Sequence, residues 1–173
     1  MGLKSEPLLP VLTAAFGDAI VSSHAQAGDE TIVLRRERWL DVHRALRERA
    51  DFGFDFLIDL TCVDYLGEGP DVRFEVIAHL FASKTKRRLR VKARVPEGDP
   101  SIESLTPLWR AANWLEREAY DMFGVRFADH PDLRRILMYP EFVGHPLRKD
   151  YPFDKRQPLI PERDPIEKGW KPA

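Results

Sequence analysis

The chain has one cysteine, Cys62, among 173 residues. This excludes an internal disulfide framework, and it excludes an iron–sulfur cluster held by this chain alone, which ordinarily takes about four thiolates. A reducing compartment suits that usage. Long apolar runs are also missing. The most apolar stretch, Leu8 to Val21, is interrupted by Pro10 and Asp18 and falls short of the roughly 20 residues that a membrane-spanning helix needs. With only Lys4 before it and Glu6 in the would-be basic region, it reads as an amphipathic first helix rather than a signal-peptide core. No charge of one sign dominates. The balance of 27 basic against 28 acidic residues argues against a long-range field built for nucleic acid or an anionic membrane. Phosphate-binding P-loops, nucleophile elbows and His-Glu-x-x-His helices are all lacking. Gly67-Glu68-Gly69-Pro70-Asp71-Val72 begins like a dinucleotide fingerprint, but Val72 stands where the third glycine belongs, so it reads as a turn.

At this length the chain is most simply one domain with a single core. Ala19–Ala25 and Thr31–Arg35 read as two strands around the turn Ala27-Gly28-Asp29. From 37 to 50, Trp39, Val42, His43, Leu46 and Ala50 recur at helical spacing, which makes His43 a packed or rim histidine rather than a ligand. Three stronger strands follow. The first places Phe54, Phe56, Ile58, Leu60 and Cys62 on one face. The second, Val72 to Ser83, is apolar on both sides and reads as a central strand. The third alternates strictly, with Leu89, Val91, Ala93 and Val95 inward and Arg88, Arg90, Lys92 and Arg94 outward. The loop Lys84-Thr-Lys-Arg87 joins the last two as an antiparallel hairpin. Its basic row is either a solvated face or a contact strip for an acidic neighbour.

Thr106-Pro107 predicts a helix start and Gly124 a stop. Between them Leu108, Trp109, Ala112, Leu115, Ala119, Met122 and Phe123 form one apolar stripe. Glu116 projects from within that stripe and requires an Arg or a backbone donor. Trp114 projects from the polar face beside Arg110, Arg117 and Asp121. It is either the centre of an interface, where Trp and Arg are enriched, or an aromatic covered by the chain's own tail.

From Pro140 to Ala173 the texture changes. Half of the 14 prolines fall here, which forbids a helix of useful length and favours extended backbone. Phe142, Tyr151, Phe153, Leu159, Ile160 and Trp170 supply apolar anchors, so the segment is expected to be an extended arm that orders against a partner. The division is therefore a globular domain over 1–139 and a docking arm over 140–173. The five histidines lack metal-ligand spacing. His130-Pro131 and His145-Pro146, with Asp129, Asp132 or Asp150, would form a metal site only if the fold brought them together. Arg134, Arg135, Arg148 and Lys149, interleaved with Asp132 and Asp150, resemble ion-pair networks across a contact more than a phosphate clamp.

The motifs Trp114-Leu-Glu-Arg-Glu-x-Tyr-Asp-Met-Phe-Gly-Val, Phe127-x-x-His-Pro-Asp-Leu-Arg-Arg-Ile-Leu and Gly144-His-Pro-Leu-Arg-Lys-Asp-Tyr-Pro closely resemble the signature of the C-subunit, or 30-kDa subunit, family of the proton-pumping NADH:quinone oxidoreductase. Phe54-Asp-Phe-Leu-Ile-Asp-Leu-Thr-Cys-Val-Asp-Tyr65 fits the same family, and the fit runs from about residue 30 to about residue 160. The chain departs from the pattern at Asp129, where the family usually has Gly, and in its short Tyr139-Pro-Glu-Phe-Val link. The resemblance implies an α+β, two-layer domain with a mixed β-sheet packed by helices, plus the extended Pro-rich C-terminal arm. It implies a non-catalytic place in the peripheral arm of respiratory complex I, packed chiefly against the D-subunit, which helps to form the quinone site, and against neighbouring subunits. It also implies that this chain binds no cofactor, while FMN, iron–sulfur clusters, NADH and quinone sit on other subunits. Membrane association would then be indirect, on the cytoplasmic side of the bacterial inner membrane. The residues expected to serve assembly are Trp114, Glu116, Arg117, Glu118, Arg134, Arg135, His145, Arg148, Lys149, Asp150 and Tyr151. Two rivals remain at this point: the equivalent subunit of a complex-I-like membrane-bound hydrogenase, and a free-standing metalloenzyme.

Overall fold

Alternating burial dictates a sheet with one face turned to the core, and helices complete that core. The computed structural model describes residues 7–68 and 72–159. Helix α1 (Leu8–Phe16) leads into the hairpin β1 (Ile20–Gln26) and β2 (Asp29–Leu34). A 3-10 turn (Arg36–Arg38) and α2 (Trp39–Glu48) follow, then β3 (Phe56–Asp64), β4 (Phe74–Ala82) and β5 (Arg87–Val95). The chain ends its regular structure with β6 (Ser101–Glu103), α3 (Ala112–Phe123) and β7 (Arg126–Ala128). The main sheet has the order β1-β2-β5-β4-β3. It is mixed: β2 runs parallel to β5 while the other pairs are antiparallel. β6 and β7 form a small parallel pair. The fold is thus the expected α+β class.

The first hairpin turns through Ala27 at φ 53 and Gly28 at φ 90, the two left-handed residues that match the twist of paired strands. α1 lacks a cap of its own, since Pro7 offers no side-chain hydrogen bond. Glu30 on β2 supplies one, its carboxylate accepting from Leu8 N at 2.6 Å and Leu9 N at 3.1 Å. This satisfies helix N-terminal donors and places negative charge at the positive end of the dipole. Leu8, Leu12, Trp39, Leu46, Phe74, Leu80, Leu89, Val91, Leu105 and Met122 then meet in one core. β4 is an interior strand paired on both sides, by β3 and β5, and the middle of the sheet is β5.

Two expectations are corrected. In β3 a bulge between Leu57 and Asp59 shifts the register. Two residues facing one slip the alternation by a position, so Leu57 is buried while Phe56 and Ile58 are exposed at 58% and 45%. The last helix begins at Ala112 rather than Thr106. Thr106 is not free to cap, because its N–H and hydroxyl engage the Ser104 hydroxyl at 3.1 and 2.7 Å. A single turn closes from Leu108 N and Trp109 N onto Leu105 O, and the helix starts afresh beyond it. The predicted stop holds, with Gly124 left-handed at φ 78. No described helix is long and apolar enough to cross a membrane. The anchors Ile160 and Trp170, and the turn residues Gly69, Pro70 and Asp71, lie outside the described residues.

Candidate docking surface

α3 is the organiser of the motif-bearing segment. Its side chains and its last carbonyls collect the chain that follows β7. Asp121 is fully buried at 0% exposure and accepts from three consecutive backbone amides, Ile136, Leu137 and Met138, at 3.0, 2.9 and 2.8 Å. Its other oxygen takes Arg135 Nη1 at 2.6 Å, and Arg135 Nη2 continues to Gly144 O at 2.9 Å. Burial alone would push the Asp121 carboxyl up, but the amides and the guanidinium outweigh it and hold its pKa below the ordinary value.

The helix C-terminus leaves carbonyls without helical partners, and residues 145–148 fill them. His145 Nδ1 donates to Asp121 O at 3.0 Å, Leu147 N to Met122 O at 3.1 Å, and Arg148 Nε to Phe123 O at 2.5 Å. A cation at this end also favours the dipole. Gly124 makes the approach possible, because a Cβ there would stand 2.6 Å from His145 Nε2 and closer still to Arg148 Nη2.

A second buried carboxylate fastens the next residues. Asp64 receives Arg73 Nε and Nη2 at 3.1 and 3.0 Å, Leu66 N at 3.0 Å and Lys149 N at 2.9 Å. Arg73, 7% exposed, also binds Glu97 and Asp150, each at 2.6 Å. The guanidinia of Arg73 and Arg148 lie 5.0 and 5.1 Å from the Phe74 ring, within cation–π range. Lys149 Nζ pairs with Glu68. Tyr151 stacks on Phe142 with centroids 5.9 Å apart. Residues 142–151 are thus tied to the globular domain by contacts within the chain.

The expected assembly residues divide accordingly. Arg135, His145, Arg148, Tyr151 and the Asp150 carboxylate hold the clasp together. Glu116 faces inward at 0% exposure and meets Ser104 Oγ and Leu105 N at 2.7 and 2.6 Å, so its donors are a hydroxyl and a backbone amide with no Arg. Arg117 donates to Arg134 O at 3.0 Å and Arg135 O at 3.3 Å and lies 5.3 Å from the Trp114 ring. Trp114 remains 61% exposed. Glu118, Arg134 and Lys149 are exposed too. Around them the clasp presents Leu137, Val143 and Leu147 at 56%, 53% and 55%, and Phe153 is fully exposed. Asp64, Arg73 and Asp121 were missed as organisers; the one signal in the sequence was that Asp64 and Asp121 stand inside the longest motifs.

His130 and His145 serve separate hydrogen bonds. His130 Nδ1 accepts from Asp132 N at 3.0 Å and its Nε2 faces Asn113 O at 3.3 Å. Among the described residues no group of three or more His, Cys, Asp or Glu side chains is placed to hold a metal ion. Asp129, which departs from the resembled pattern, has φ 60, a left-handed conformation that Gly adopts freely and Asp tolerates.

The family model described as the respiratory-chain NADH dehydrogenase, 30 Kd subunit, matches residues 32–157. The chain belongs to that family. Relatives named as the C-subunit of NADH-quinone oxidoreductase include one from Citrifermentans bemidjiense, 47% identical over 156 residues, which cover 90% of this chain and 91% of the relative. Another, from Geobacter sulfurreducens, is 44% identical with the same coverages. Among solved structures, one titled as Nqo5 of the trypsin-resistant fragment (1-134) superposes with a TM-score of 0.64 at 36% identity, covering 73% of this chain and 98% of that one. A chain of the membrane-bound sulfane sulfur reductase, an archaeal respiratory membrane complex, gives a TM-score of 0.70 at 22% identity over 85% of each chain. That second likeness concerns the fold.

Proposed function

We propose that this chain is a non-catalytic subunit of the peripheral arm of a proton-translocating NADH:quinone oxidoreductase, and that its α3 clasp is the surface by which it positions its neighbours. The observation that carries the reading is the clasp itself. Asp121, Asp64 and Arg73 hold it together from within, while Trp114, Leu137, Val143, Leu147 and Phe153 are left facing outward. Apolar and aromatic groups presented on a hydrogen-bonded scaffold are what an interface core requires.

The partner we assign is the D-subunit of the complex, with neighbouring peripheral-arm subunits around it. The redox groups then reside on those subunits and none on this chain, and attachment to the cytoplasmic face of the bacterial inner membrane runs through the complex. Co-purification tests this. Tagged full-length chain, expressed in a strain lacking its own copy, is expected to bring down the D-subunit and restore NADH-driven quinone reduction in membranes. Recovery of the tagged chain without other subunits of the complex would refute the proposal.

A further inference from the structure

Among the described residues three carboxylates are buried on α3 and β3 themselves, and one is unlike the others. Asp121 and Asp64 each hold a guanidinium plus backbone amides. Glu116, equally buried, has only the Ser104 hydroxyl and the Leu105 amide. The one cation-forming group within 4.0 Å among the described residues is His130, whose Nε2 lies at that distance from Glu116 Oε2. Both nitrogens of His130 are engaged elsewhere, and burial lowers its pKa. From β3, against which α3 packs, the buried ionisable groups are Cys62 and Asp64. The first has its Sγ 3.7 Å from Val63 O and its pKa raised to about 12, first by burial, and the second is taken by Arg73. A carboxylate with two neutral donors and no cation is poorly stabilised in the interior.

The hydroxyls beside it form a chain. Ser104 Oγ lies 2.7 Å from Glu116 Oε2 and 2.7 Å from Thr106 Oγ1, and also accepts from Thr106 N at 3.1 Å. Thr106 is half-buried where Ser104 and Glu116 are buried, so it is the outer end of this chain. We propose that Glu116 is a reversible proton-binding site whose charge state is set by solvent through the hydroxyls of Thr106 and Ser104.

In the ionised state Thr106 Oγ1–H donates to Ser104 Oγ, and Ser104 Oγ–H donates to Glu116 Oε2. When a water proton enters at Thr106, each hydroxyl passes its own proton inward and accepts one from outside. The end state has Oε2–H donating to Ser104 Oγ, Ser104 Oγ–H donating to Thr106 Oγ1, and Thr106 Oγ1–H turned to solvent. One proton is added and nothing is oxidised or reduced. Ser104 Oγ accepts two hydrogen bonds and donates one in both states, so neither leaves a polar atom stranded. Burial, the larger influence, raises the Glu116 pKa to about 7 against the two donors that lower it, which agrees with the geometry.

The test is a titration of the full-length chain labelled with 13C at glutamate Cδ, followed by NMR. The Glu116 signal is assigned by its loss in Glu116→Gln. Its midpoint is expected above pH ~6, against about 4.3 for an ordinary glutamate. Ser104→Ala removes a donor to the ionised form and is expected to raise the midpoint by about half a unit to one unit. Thr106→Val is expected to raise it by a smaller amount and serves if the alanine variant does not fold. A wild-type midpoint below pH ~6, or a midpoint unmoved in a folded hydroxyl variant, would overturn the proposal.

Discussion

Replacing Asp121 by Asn removes one charge at the centre of the clasp while keeping the shape of the side chain. The carboxylate now accepts three amide N–H groups on one oxygen and Arg135 on the other. An Asn oxygen can still take the amides, but as neutral hydrogen bonds. Bonds to a charged acceptor contribute about 1.5–3 kcal/mol each and neutral ones about 1. With the charged bonds taken at about 2 kcal/mol, the three together lose roughly 3 kcal/mol. The Asn amide would also face the Arg135 guanidinium, donor against donor. That guanidinium is 18% exposed on its side chain, so solvent relieves part of the loss, and the added cost is on the order of 1 kcal/mol. The expected destabilisation is about 3–4 kcal/mol at neutral pH, read from denaturant unfolding. The same change is expected to speed tryptic cleavage after Arg135 and Arg148, because the local opening that admits the protease becomes more frequent. The sign with pH follows from the depressed pKa of Asp121. Its contribution is present above the unfolded value of about 3.9 and disappears as pH falls through the folded value, so variant and wild type should converge in acid. A loss under ~1 kcal/mol at neutral pH with unchanged proteolysis would refute this reasoning.

Other outcomes follow from neighbouring residues. Gly124→Ala puts a side chain at φ 78 and against His145 and Arg148; it is expected to cost about 1 kcal/mol for the left-handed backbone and a further 1–2 for displacing the clasp, measured by thermal and denaturant unfolding. Trp114→Ala removes an exposed ring, so stability of the isolated chain should stay within about 0.5 kcal/mol while recovery of partner subunits in a pull-down falls. Glu116 has a raised folded pKa of about 7, so its contribution is full below the unfolded value of about 4.3 and is lost as pH rises through 7. Wild type should therefore lose about 2–3 kcal/mol relative to Glu116→Gln between pH ~5 and pH ~8 in parallel urea titrations, and parallel curves would contradict this.

Legibility in the sequence tracked the range of the interaction. β5 was plain because Leu89, Val91, Ala93 and Val95 alternate with charge and every inward residue is buried. The first hairpin and the Gly124 stop were plain because each is a local demand for left-handed backbone. The bulge in β3 was hidden, since Phe56, Leu57 and Ile58 are all apolar and either register satisfies the pattern. The false helix start arose because Ser104 and Thr106 bind each other and Glu116, a residue of the helix itself. The clasp was the least readable. Asp64 meets Lys149 across 85 residues and Arg73 meets Asp150 across 77, and no local pattern encodes such pairings. The motifs announced that these residues matter, and the structure shows that Arg135, His145, Arg148, Asp150 and Glu116 also serve contacts within the chain.

The most direct measurement is site-specific photocrosslinking in assembled membranes, with the photoreactive residue placed at 114, at 147 and, as a control, at 26 on the far edge strand. Positions 114 and 147 are expected to capture the D-subunit and position 26 is not. Crosslinks from position 26 alone, or an assembly that forms equally well from a chain ending at residue 139, would contradict the docking role of the clasp.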